Sequence, residues 1–99
     1  MHIAHPAYRH LNYTLSDTST IGMFKFGFDR ALACWHSGCT VESITHTAQS
    51  GSPKDRGVIA ACEMLMGWHD VAEREARAHG MTRNEASRFV AEKVAQECC

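Results

Sequence analysis

The sequence predicts an all-α protein: a compact bundle of about four helices over residues 19–37, 41–50, 53–79 and 83–98, behind an irregular arm at 1–15. Three observations carry that expectation. Ile21, Phe24, Phe28, Leu32 and Trp35 recur at helical spacing. Ser52-Pro53 is a helix start, with serine as N-cap and proline where its missing N–H is not needed. Thr82-Arg83-Asn84-Glu85 is a capping box, in which the threonine hydroxyl and the glutamate carboxylate satisfy each other's first-turn amides.

The arm has no helical period. Leu11, Tyr13 and Leu15 alternate with polar residues, and Phe24, Phe26 and Phe28 also alternate. An α+β alternative, a hairpin of residues 10–15 with 21–28, therefore competes with the first helix, because Gly22 and Gly27 each weaken a helix by about 1 kcal/mol relative to alanine. The longer helix is favoured by the continuous stripe and by the capping and turn residues Ser16 to Thr20 before it. Gly38 closes it as a C′ residue.

Thr40 caps a short helix with thin apolar content, Val41, Ile44 and Ala48, ended by Gly51. In the main helix, Val58, Cys62, Leu65, His69, Ala72 and Ala76 form a seam of alternating 4 and 3 spacing that runs to Gly80. Residues 58–72 are more apolar than one face requires, with only Glu63, His69 and Asp70 ionisable. A helix apolar nearly all round is central in its domain or covered by a partner. Glu63 and Asp70 are expected to share its one solvated stripe, and His69 to be a satisfied core histidine. In the last helix Ala86, Phe89, Val90, Val94 and Cys98 line one face, and the short link through Gly80 makes it an antiparallel neighbour.

Ninety-nine residues form a single helical domain, 1–99, and a chain of this length buries roughly 60–68% of its unfolded surface. Hydrophobic residues make up 44% and charged residues 21%, which excludes global disorder. Ten Lys/Arg against eleven Asp/Glu give a net charge of −1, so nucleic-acid binding would need a local basic patch. No apolar run approaches the roughly 20 residues that span a bilayer, and Met1 to Pro6 lacks the pattern of a signal peptide. Five cysteines, an odd number with Cys98 and Cys99 adjacent, fit a reduced, cytoplasmic protein.

Four constellations are candidates for chemistry. Cys34, His36 and Cys39 lie within six residues and offer thiolate and imidazole ligands for zinc, with Cys62, His46 or His69 to complete a tetrahedron. The spacing matches no common zinc module, and no C-x-x-C pair exists, so no metal or other cofactor is expected. Cys34 or Cys39 with His36 or His46 offers a thiol and a base, yet chance pairs abound in a chain with five cysteines and seven histidines. Glu63, His69 and Asp70 offer a buried polar site, which weighs less than the solvated-stripe reading.

The fourth is Ala31 to Ile44, which resembles the opening of a helix-turn-helix unit: helix, glycine turn, threonine cap, then an acidic residue before an isoleucine. The resemblance implies a DNA-binding regulator. It covers about fourteen residues and departs where the recognition helix should stand, since Pro53-Lys54-Asp55-Arg56-Gly57 supplies only Lys54 and Arg56. Over four residues, Tyr8-Arg9-His10-Leu11 resembles small phage proteins that sequester cyclic-nucleotide signals, which implies aromatic stacking and basic residues such as Lys25.

With no active-site set of residues, the expectation is a non-enzymatic binding protein acting through a protein partner or its own copies, such as an adaptor or a stoichiometric inhibitor of the kind phages and mobile elements encode. The interface candidates are Met23, Phe26, Ile59, Met64, Met66 and Trp68, because methionine and aromatic side chains give adaptable, large contacts.

Overall fold

The computed structural model describes residues 19–97. Five helices follow one another: α1 (Thr20–His36), α2 (Val41–His46), α3 (Pro53–Leu65), α4 (His69–Ala78) and α5 (Arg83–Glu97), and among the described residues there is no strand. The all-α bundle is thus the fold. Residues 21–28 are helical, which removes the hairpin alternative; its other half, 10–15, lies outside the described residues, as do the rest of the arm and Cys98.

The starts lie where the caps place them. Ser19 accepts the Gly22 N–H at 3.1 Å, Thr40 that of Ser43 at 3.1 Å, and Ser52 that of Asp55 at 3.2 Å. Thr82 and Glu85 exchange both bonds of the capping box, at 2.8 and 3.1 Å. The helix expected over 41–50 ends at His46. There the Thr47 hydroxyl donates to the Ile44 carbonyl and the Gln49 amide to that of His46, so side chains take over the carbonyls that a further turn would use.

The helix expected over 53–79 is two helices. Gly67 adopts φ +91°, Gly67 N–H donates to the Met64 carbonyl at 2.9 Å, and Trp68 N–H to that of Glu63 at 2.8 Å. This pair of bonds is the Schellman motif, which satisfies the last carbonyls of α3 and turns the chain. The same motif closes α1 through Gly38 and α4 through Gly80. Because the break resets the helical phase, the seam does not run through it. Val58 and Cys62 are buried before it and Ala72 and Ala76 after it, whereas Leu65 is half-buried and His69 exposed. Glu63 and Asp70 likewise share no helix face, and His69 is not a core residue.

The most extensive helix interface sets α1 against α3. Gly27 of α1 packs on the Lys54 backbone and Gly57 of α3 on the Phe24 backbone, so the two helices run antiparallel in close approach. One buried cluster holds Phe24, Phe28 and Leu32 of the α1 stripe with Ile44, Val58, Cys62, Met64 and Val90. Phe89 of α5 meets Phe28 edge-on at 4.9 Å between ring centres, and His79, the C-cap residue of α4, stacks on Phe24 at 4.9 Å. Trp35, the last member of the stripe, is 40% exposed because α1 ends one residue later.

Candidate functional site

The turn between α3 and α4 presents two large apolar side chains to solvent. Met66, the C-cap residue of α3, is 46% exposed, and Trp68, the residue after Gly67, is 55% exposed. In a Schellman motif the residue after the glycine commonly packs back on the helix it ends. Met81, which follows Gly80 in the same motif, does become buried; Trp68 does not. Met66 also walls an open groove of about 470 Å³, whose other side is α2 and the chain just after it, with Val41 and Ala48 as its apolar part and Glu42, His46 and Gln49 around it. The groove is held in place from below: Val41 and Ile44 pack against the core, and the buried Cys62 thiol lies 4.0 Å from the Val41 carbonyl. Burial pushes that thiol up from its ordinary range, which makes Cys62 an unreactive packing residue.

Of the six interface candidates, the structure leaves Met66 and Trp68 exposed. Met64 and Phe26 are core residues, 4% and 7% exposed, because both point toward neighbouring helices. Met23 and Ile59 are half-buried, Ile59 against the core cluster. The break at Gly67 therefore divides a stretch that reads as evenly apolar into an inward Met64 and an outward Met66 and Trp68.

A charged cluster joins the same helix pair. Arg56 of α3 binds Glu75 of α4, with its Nε donating to Oε1 at 3.3 Å and a terminal nitrogen to Oε2. That bond and the charges of Glu75 and Glu63 raise the guanidinium further. The Glu63 carboxyl is pushed up, first by burial and then by Glu75, while Arg56 and Arg74 oppose the shift. Its Oε1 is buried with no hydrogen-bond partner.

The zinc candidates fall at the end of α1. Cys34 is half-buried, Cys39 is exposed, and the exposed His36 ring donates to Glu97 at 3.0 Å. Among the described residues, no three His, Cys, Asp or Glu side chains are grouped so as to hold a metal ion. In the helix-turn-helix segment the two cations are committed to the fold's own partners: Arg56 to Glu75, and Lys54 over the Phe26 ring at 6.0 Å. α3 is also the helix pressed against α1, so it has no free face to lay in a groove of DNA. Tyr8 to Leu11 lies outside the described residues. Lys25 lines a cleft of about 290 Å³ between α1 and α5, floored by Ile21, Met81 and Phe89. There Lys25 and Arg88 are balanced by Glu85 and Glu92, which leaves no net positive field for a phosphate. Among the described residues, no helix is long and apolar enough to cross a membrane.

Known protein families, curated proteins and solved structures provide no match to the chain.

Proposed function

We propose that the protein is a non-enzymatic binding module of the reducing cytoplasm that docks a protein partner on the α3–α4 corner. Met66 and Trp68 are its anchors, and the groove beside α2 takes one apolar side chain of the partner. The observation that carries this reading is Trp68. It is the most exposed of the large apolar side chains in the described part, at a helix end whose counterpart in α4 is buried. Tryptophan is the residue type most enriched where interfaces concentrate their binding energy. Cys39 and Cys62 are free thiols, which fits a reducing compartment. An adaptor or a stoichiometric inhibitor, whether acting as one copy or several, uses a surface of this kind.

A photo-crosslinking amino acid at position 68, in cells that produce the protein, tests the reading. The expected result is a discrete protein adduct that Met66→Glu abolishes. Met66→Glu should keep its melting temperature, since the side chain is already half in water, whereas Met64→Glu at a 4% exposed position should unfold the chain. Adducts no more abundant than those from the same group placed at Glu92 would overturn the proposal.

A further inference from the structure

Arg56 and Glu63 stand two helical turns apart on α3, so both face α4, where Glu75 occupies the guanidinium. The one guanidinium bound to a carboxylate in this corner is thus taken by Glu75, and Glu63 is left without a hydrogen bond to its buried oxygen. The charged groups acting on Glu63 are Arg56 from its own helix and Glu75 and Arg74 from α4, and the neighbouring Cys62 thiol is neutral. A buried carboxylate oxygen without a hydrogen bond is expensive to keep charged, whereas the neutral acid can donate.

We propose that Glu63 is a proton-operated clasp between α3 and α4. Protonated, it leaves Arg56 to Glu75 and the corner closes. Ionised, it sets a second negative charge beside Glu75 in the same half-buried cluster, and the corner loosens. The Glu63 carbonyl accepts the Trp68 N–H at 2.8 Å, so the loosening reaches the turn that carries Met66 and Trp68. That last consequence makes pH a regulator of docking and rests on the docking proposal; the clasp itself does not.

The sign follows from linkage. A carboxyl raised in the folded state contributes stability that is fully present below its unfolded value and is lost as pH rises through its folded value. Carbon-13 titration of the glutamate side chains in the intact protein should place the Glu63 midpoint above the about 4.3 of an unperturbed glutamate. Thermal melts should show a falling limb through that midpoint, which Glu63→Gln removes. Trp68 fluorescence, read in a Trp35→Phe background, should change over the same range and cease to change when Glu63→Gln is added. A Glu63 midpoint at or below that unperturbed value, or a Glu63→Gln profile that keeps the falling limb, would overturn the clasp; the carbon titration decides it on the wild-type chain should the variant not fold. A flat Trp68 signal would overturn its reach to the corner. None of these readouts involves a partner, so they stand apart from failure of the docking test.

Discussion

Gly27 and Gly57 are reciprocal across the α1–α3 crossing. A Cβ on Gly27 would overlap the Lys54 carbonyl oxygen and lie 2.8 Å from its carbon, and one on Gly57 would overlap the Phe24 oxygen and lie 3.0 Å from the Phe28 nitrogen. Each glycine meets the residue three positions before the other. The obstructing atoms are backbone, so a side chain at either position can be admitted only if the helices separate.

Helix propensity alone says that alanine at Gly27 should stabilise the chain by about 1 kcal/mol. The crossing reverses the sign. Gly27→Ala and Gly57→Ala should each destabilise by about 2–3 kcal/mol, a fall in melting temperature of about 10–20 °C for a domain of this size. A melt that rises or stays level for either variant would contradict the close crossing.

Gly67 offers a second reversal. If residues 53–79 were one helix, Gly67→Ala would stabilise it. With φ at +91°, alanine there should instead destabilise by about 1–2 kcal/mol, because its Cβ crowds the following carbonyl in the left-handed region. Circular dichroism separates the two outcomes, since a continuous helix would gain helical signal while the observed turn would lose stability.

The capping box makes a prediction about pH. The Thr82 N–H holds the Glu85 carboxyl below its ordinary range. Stability from a lowered carboxyl is present above its unfolded value and is lost as pH falls through its folded value. Glu85→Gln should therefore be less stable than the wild type at neutral pH, and the difference should close in acid. Thr82→Ala, which removes the partner hydroxyl, should cost about 1 kcal/mol. A gap between Glu85→Gln and wild type that does not change with pH would sink the charge argument.

What could be read from the chain and what could not divides along physical lines. Serine, threonine and the Thr82–Glu85 pair act on amides within three residues of themselves, so every described helix start they mark is correct. The stripe through Phe24, Phe28 and Leu32 is legible because burial repeats with the helix. The Gly67 break was missed because an apolar seam continues in composition on both sides of it, and only the Met66-Gly67 pair signals the turn. The Gly27–Gly57 crossing leaves no mark in a hydrophobic pattern, since what matters there is a side chain that is absent. The exposed apolar pair at the α3–α4 turn, Met66 and Trp68, falls in the stretch the sequence singles out and accounts for two of its six candidates. Sorting Met64 from Met66 depended on the phase reset that the break imposes. Glu63 was seen as an ionisable interruption, but its relation to Arg56 and Glu75 needs α4 folded back on α3.

α5 is fastened differently from the rest of the bundle. Ala86 and Val90 anchor it in the core, and its polar links to α1 run through the tips of long side chains, Lys93 to Asp29 at 2.5 Å and Glu97 to His36, with the Phe89 ring between. No glycine seam locks the two backbones as it does at the α1–α3 crossing. The expected energy landscape is stepped: α5 should lift away at lower free energy than global unfolding, with rising ionic strength easing its release, while α1 and α3 stay joined. Amide protons of α5 would then exchange ahead of those of α3, and the phenylalanine cluster would be the first part of the core to meet water.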